Sequence, residues 1–299
     1  MTGTRPPGRI SPPTERVTRV LTLLADTPRE RRTLTEIAAG LDLNKPTCLG
    51  ILTALADEGF VTRDETKRYG LGPALLRLGS AAESGLATID LVRPHLDELH
   101  DRLGMSCILT AVHGDHVVIL DRCGLGAAGD RRDLVGERFP WAPPLGLANV
   151  AWEHDTVVDA WLTRPPLAPL SAVDRTVRTL VAGARERGYI VESYSSSATS
   201  SLVLANLLGS GMPQPVIDQI LGFLPPVDWS EFIATMPDDR AALLPVANIG
   251  APIFDRRGRQ QYTLTLIPER TDATAGQCLD WAEEVERTAR AATNALRGG

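Results

Sequence analysis

Apolar positions recur at helical spacing three times near the start of the chain. Val17, Val20, Leu21 and Leu24 share one face, and Pro28 in "DTPRERR" ends the run. Thr33 stands where a helix N-cap is wanted, with Glu36 placed to complete a capping box and Leu34, Ile37, Ala38 and Leu41 to be buried. Asn44 is positioned to cap a third helix that tolerates Pro46 in its first turn. Cys48, Ile51, Leu52 and Leu55 form its apolar stripe, and Gly59 is placed to end it. Two extended runs, "FVTR" and "KRYGLG", then flank "DET", a hairpin pattern lacking Asn-Gly or Asp-Gly. Three helices and a hairpin in so short a stretch predict a winged helix-turn-helix, with "GLDLN" as the turn between its second and third helices.

The remaining chain patterns differently. "SAAESGLATIDLVRPHLDELHDRLG" reads as a linking helical passage interrupted at Pro94, with Leu96, Leu99 and Leu103 as the apolar face of its second part. "MSCILTAV" and "HVVILDRC" read as strands around the turn "HGD". Helical "DRTVRTLVAGARERG" precedes a strand at "YIVESY". Strands at "LLPVANIGAPIF" and "RQQYTLTLI" flank "DRRG", and a last amphipathic helix carries Leu279, Ala282, Val285 and Ala289. Strands with flanking helices predict an α/β or α+β sheet domain. The expected organisation is a disordered arm over 1–13, a winged helix over 14–79, a linker helix over 80–94 and a sheet domain over 95–299.

Charge changes this picture at one place. The net charge is −6, yet residues 1–80 hold 12 Lys+Arg against 9 Asp+Glu and the remainder 19 against 28. A mildly basic head on an acidic body directs any anionic partner to the head. Both lysines of the chain, Lys45 and Lys67, fall in residues 44–72 beside Arg63 and Arg68. On a winged helix, Lys45, Thr47 and Leu49 occupy the exposed early turns of the helix that enters the major groove. Arg63, Lys67 and Arg68 fall on the wing, beside the phosphates. The plainer alternative for the same residues is a solvated charged hairpin used for protein contacts.

Other chemistry is thin. No apolar run is long enough for a membrane span and the N-terminus lacks a signal core, so a cytoplasmic protein with no membrane partner is expected. The spacing of Cys48, Cys107, Cys123 and Cys278 predicts free thiols. Cys107, His113, His116 and Cys123 offer zinc-type ligands, but the cysteines lie far along the strands from the histidines, and no metal or cofactor is expected. "SYSSSATSS" reads as a polar loop and "DRRD" as a solvated one. There is no G-x-S-x-G elbow, no phosphate-binding glycine loop and no nucleophile–base pairing, so no enzyme is expected.

The segment "LTEIAAGLDLNKPTCLGILTALADEGFVTRDETKRYGLGPALLRLG" resembles the N-terminal domain of the IclR family of bacterial transcriptional regulators, most specifically in "LTALADEGFVTRD…KRYGLG". Where that family ordinarily has a basic residue two turns into the third helix, this chain has Gly50. "GAPIFDRRGR" and "ERGYIVESY" are similar to segments of the family's C-terminal domain, and "PPLGLANVAW" stands at its Gly-Lys-Ala helix start with Leu147 in place of lysine. The resemblance implies an α+β protein whose winged helix-turn-helix is joined by a linker helix to a GAF-like effector-binding domain. It implies ligand contacts at Gly146, Leu147, Glu192, Asn248 and Thr265. The expected function is a ligand-responsive regulator, a homodimer or dimer of dimers, binding double-stranded operator DNA and a small-molecule effector. The alternative is a ligand sensor whose winged helix is a protein-interaction module. Leu75, Leu76 and Leu78 exceed what a small head needs to bury and are the expected means of pairing.

Overall fold

The computed structural model describes residues 11–27, 30–85, 87–124, 135–171, 174–193, 204, 207, 208 and 212–298. The chain divides into two compact units, Met1–Ala87 and Thr88–Gly299. Among the described residues no helix is long and apolar enough to cross a membrane. Most of the expected arm, Pro28, "DRRD" and all but the first residue of "SYSSSATSS" lie outside the described residues.

The first unit contains α1 (Pro12–Ala25), β1 (Arg32–Thr33), α2 (Leu34–Gly40), α3 (Lys45–Asp57), β2 (Val61–Arg63), β3 (Arg68–Leu71) and α4 (Ala74–Gly85). Helix α1 starts inside the expected arm because Pro12 and Pro13 sit in its first turn, where a missing N–H costs nothing. The expected capping box of α2 is complete: Thr33 Oγ1 accepts from the Glu36 N–H at 3.3 Å and Glu36 Oε2 from the Thr33 N–H at 2.6 Å. Asn44 Oδ1 caps α3 by accepting from the Thr47 N–H at 2.8 Å. Gly59, at φ 72°, ends α3 where only glycine is free of strain, and the Phe60 N–H closes back on the Leu55 carbonyl at 2.8 Å. Val20, Leu24, Ile37, Cys48, Leu52 and Val61 build the core of this unit. The sheet order is β1-β3-β2; β1, only two residues long, carries too little pattern to be read from sequence.

The second unit opens with α5 (Ala87–Leu103), followed by β4 (Ser106–His113), β5 (His116–Cys123), β6 (Arg138–Pro140), a 3-10 turn (Leu147–Asn149), α6 (Asp155–Leu162) and α7 (Asp174–Arg187). After these come β7 (Ile190–Ser193), α8 (Gln214–Phe223), α9 (Trp229–Phe232), β8 (Val246–Phe254), β9 (Gln260–Ile267) and α10 (Ala275–Gly298). The expected interruption at Pro94 does not occur; α5 runs through it. Proline in a helix interior costs about 3 kcal/mol, and the burial of Val92, Leu96 and Leu99 outweighs it. Six antiparallel strands form one sheet, in the order β6-β5-β4-β9-β8-β7.

Both faces of this sheet are covered, so β8 is buried almost end to end rather than alternating. One face packs α5 and α10, with Leu109, Ile249, Leu264, Leu266, Ala282 and Val285 between them. The other carries the 3-10 turn and α6–α9, with Leu147, Trp161, Ile190, Trp229 and Phe232. Trp229 stands edge-on to Trp161 and Phe232, with ring centroids 6.1 and 5.6 Å apart. All four cysteines are free and buried, and burial pushes the thiols of Cys107 and Cys278 up to about 12. The strand register pairs Cys107 with Cys123 and His113 with His116 at opposite ends of the β4–β5 hairpin. Six residues of strand span about 20 Å, so these four side chains cannot share one ion.

Candidate nucleic-acid interface and ligand pocket

The outer face of α3 is a clean stripe. Lys45, Pro46, Leu49, Gly50, Thr53, Ala54 and Asp57 are exposed, while Cys48, Leu52 and Leu55 are buried. This is the i, i+4 spacing of one helix face, set by which residues the small core demands. Thr47 is half-buried at the edge of the stripe. Leu49 is 44% exposed, a large apolar side chain left uncovered in this unit. A Cβ added at Gly50 would meet nothing within 4 Å, so packing does not demand glycine there.

The wing turn is organised by Asp64. Its Oδ1 accepts from Thr66 Oγ1 at 2.7 Å and from the Arg68 N–H at 2.9 Å, and these bonds, the backbone one first, hold its carboxyl below the usual range. Lys67 follows at φ 64°, in the left-handed region where the absent Asn-Gly would have been at ease. The side chain of Asp64 thus supplies the turn that the sequence pattern lacked. The guanidinium of Arg63 lies over the Tyr69 ring, 5.5 Å from its centroid. Arg68 donates to the Arg31 carbonyl at 2.9 Å and lies 3.6 Å from Glu36. The Glu36 carboxyl is also held low, first by the Thr33 N–H and hydroxyl and only then by Arg68. Lys45 and Lys67 are both exposed and, among the described residues, neither enters an ion pair. Sequence reasoning missed Arg31, whose guanidinium lies 3.7 Å from Asp64 and ties the segment before β1 to the wing.

In the second unit, Glu192 pairs with Asn248 across β7 and β8, and Asn248 Nδ2 donates to Glu192 Oε2 at 2.8 Å with both residues buried. Thr265 pairs with Gly250 on one side and Ile108 on the other. Directly paired residues point to the same face, and Gly250 meets the 3-10 turn, since a Cβ added there would lie 3.1 Å from that of Ala148. Gly146 precedes the turn at φ 90°, with the Trp141 indole packed on it so closely that an added Cβ would lie 2.6 Å from Cδ1. The register and the turn therefore bring Gly146, Glu192, Asn248 and Thr265 to one face of the sheet. Leu147 differs: its side chain is fully buried in the apolar cluster, which leaves only its backbone to meet a ligand.

Four residues outside the expected set pin the turn to the sheet. Asn149 donates to Thr110 at 2.9 Å and Thr263 at 2.8 Å, and Gln260 Nε2 donates to the Ala148 carbonyl at 2.7 Å. The alternation of Thr263 and Thr265 along β9 was the available signal, since it puts both hydroxyls on one face. A cleft of about 190 Å³ lies beside the turn, lined by Trp141, Asn149, Glu153, Val157, Gln260 and Thr263 among others, and none of the five expected ligand residues lines it.

The first unit is a winged helix-turn-helix, and the second is a curled antiparallel sheet with helices on both faces. The family described as the IclR helix-turn-helix domain matches residues 13–65. The chain is 41% identical over 95 residues to the glycerol operon regulatory protein of Streptomyces coelicolor, a stretch covering 29% of this chain and 37% of that protein. It is 34% identical over 91 residues to the HTH-type transcriptional regulator BhcR of Paracoccus denitrificans, covering 30% of this chain and 33% of that protein. The matched stretches thus span about a third of these relatives.

Similarity of fold extends much further. An IclR transcriptional regulator from Alicyclobacillus acidocaldarius superposes with a TM-score of 0.65 at 22% identity, covering 96% of this chain and 99% of that one. The Thermotoga maritima IclR gives 0.63 at 16%, covering 95% and 98%. An IclR homolog of Microbacterium hydrocarbonoxydans, crystallised with 4-hydroxybenzoate, gives 0.63 at 19%, covering 96% and 100%. The head of this chain is an IclR helix-turn-helix domain, and the chain as a whole has the fold of the IclR regulators.

Proposed function

We propose that the protein is a ligand-responsive transcriptional regulator that binds operator DNA through its winged helix and a small metabolite through its second domain. The observation that carries this reading is the open outer face of α3 with Lys45 at its start and Lys67 on the adjoining wing, both cations without an ion pair among the described residues. Lys45, Thr47 and Leu49 face base edges; Arg63, Lys67 and Arg68 meet phosphates, which fix position rather than sequence. Arg63 and Arg68 also hold the wing in shape, so Lys67 is its dedicated phosphate contact.

Gly146, the Leu147 backbone, Glu192, Asn248 and Thr265 form the effector site. The buried Glu192 and the absence of a lysine at position 147 favour a ligand less acidic than a small dicarboxylate. The head corresponds to residues 14–79, the linker helix to 80–94 and the effector-binding domain to 95–299. Two copies pair through the exposed Leu76 and Leu78 of α4, giving a homodimer or dimer of dimers in the cytoplasm on an inverted-repeat operator. Ligand control requires different effector affinities in the DNA-competent and DNA-incompetent arrangements.

Titration of random-sequence duplex DNA at several salt concentrations tests the reading. The wild-type slope of log K against log salt should be negative. Lys67→Ala should make it shallower by about 0.9 for every phosphate that each head no longer neutralises. A salt-independent or undetectable interaction would refute DNA binding.

A further inference from the structure

The outer face of α3 is short of the groups that read purines. Bidentate recognition of guanine needs arginine or lysine, and that of adenine needs asparagine or glutamine. Among the exposed residues of α3, Lys45 alone belongs to either set, at the first helical position. Asn44, just before it, has its Oδ1 committed to capping the Thr47 N–H at 2.8 Å, so it lacks the free acceptor a bidentate contact with adenine requires. What the stripe does present is hydrocarbon: the isobutyl group of Leu49, 44% exposed, and the methyl groups of Thr53 and Ala54 one turn further on.

Gly50 stands in the same stripe, beside Leu49, with open space where a Cβ would be. A helix without a side chain at that point can approach the groove floor closely, which brings its neighbour into reach of the base edges. In the major groove the one apolar feature of a base pair is the thymine C5-methyl group, and apolar side chains recognise it by contact.

We infer that Leu49, given close approach by Gly50, reads thymine C5-methyl groups in the operator, so that this head selects thymine-bearing steps by apolar contact rather than by hydrogen bonds to purines. The inference rests on the DNA-binding reading above and names the chemistry its recognition helix selects. Removing one buried methyl group corresponds to about a four-fold loss in affinity, and about fifteen-fold when both heads of a dimer lose one.

The test starts from a duplex library with a randomised core, enriched on the purified full-length protein. The best-bound duplex is then made in two forms, with thymidine and with deoxyuridine throughout the core. The wild type should bind the deoxyuridine form weaker by about four-fold for each methyl group that Leu49 touches. Leu49→Ala should lose a similar factor on the thymidine form and no longer distinguish the two. Leu49→Met, which keeps an apolar tip, should retain the discrimination, separating direct recognition from folding. Equal wild-type affinity for the two forms, or discrimination persisting in Leu49→Ala, would overturn the inference while leaving DNA binding intact. Failure to bind even the unselected library in a salt-dependent way would overturn both readings.

Discussion

Replacing Gly50 with alanine should stabilise the head. Gly50 is the sixth residue of the 13-residue helix α3, well inside it, and an added Cβ would touch nothing within 4 Å. Alanine is about 0.8–1.0 kcal/mol more favourable than glycine in a helix interior, and no packing penalty offsets this. For a domain of this size, 1 kcal/mol raises the melting temperature by about 4–8 °C. All five tryptophans, from Trp141 to Trp281, lie in the second unit, so indole fluorescence cannot report on the head. Hydrogen exchange can. The amides of Cys48 to Leu55 belong to α3, whose inner face packs in the head's core, and should exchange by its cooperative opening; 1 kcal/mol would slow them about five-fold. Unchanged or faster exchange in Gly50→Ala would show that the helix needs glycine there and would remove the argument that the fold does not require it.

Lys67→Gly should separate stability from binding: it relieves a residue at φ 64°, worth about 1 kcal/mol, yet lowers the salt slope of DNA binding, and a stability loss in hydrogen exchange of the head would contradict it. Acidification should weaken the head. The Glu36 carboxyl is lowered from 4.5, first by the Thr33 N–H, so its contribution is present above that value and is lost as pH falls through the folded pKa. Glu36→Gln should flatten this acid limb, and an unaltered pH profile of head unfolding would count against the capping box as its source. Gly146→Ala meets both a φ of 90° and an indole atom 2.6 Å from the new Cβ. It should destabilise the second unit by about 2–4 kcal/mol in denaturant titrations followed by tryptophan fluorescence, and a loss under about 0.5 kcal/mol would deny that the turn is rigid there. Leu76 is 76% exposed on α4, so Leu76→Glu should leave the head folded but shift light scattering toward monomer; an unchanged oligomer would place the pairing surface elsewhere.

The sequence by itself determined the head. Its periodicity, the Thr33–Glu36 box, the Asn44 cap and the Gly59 stop are local signals, each readable within one turn of helix, and the structure realises all of them. It also determined the second unit's strands at 106–123 and 246–267 and its last helix, where apolar runs are long. Tertiary structure decided the rest. Pro94 stays inside α5 because three fully buried side chains hold that helix against the sheet, a cost and a gain that no local window contains. The wing turn depends on a carboxylate bonding two residues of its own loop, and β1 exists only through pairing with β3. Leu147 looked like a ligand contact by position, yet the 3-10 turn points its side chain into the apolar cluster. Asn149, Thr110 and the pair Gln260 and Thr263 converge from three places in the chain to fix that turn. Such convergence is a property of strand order and register, which sequence periodicity does not encode.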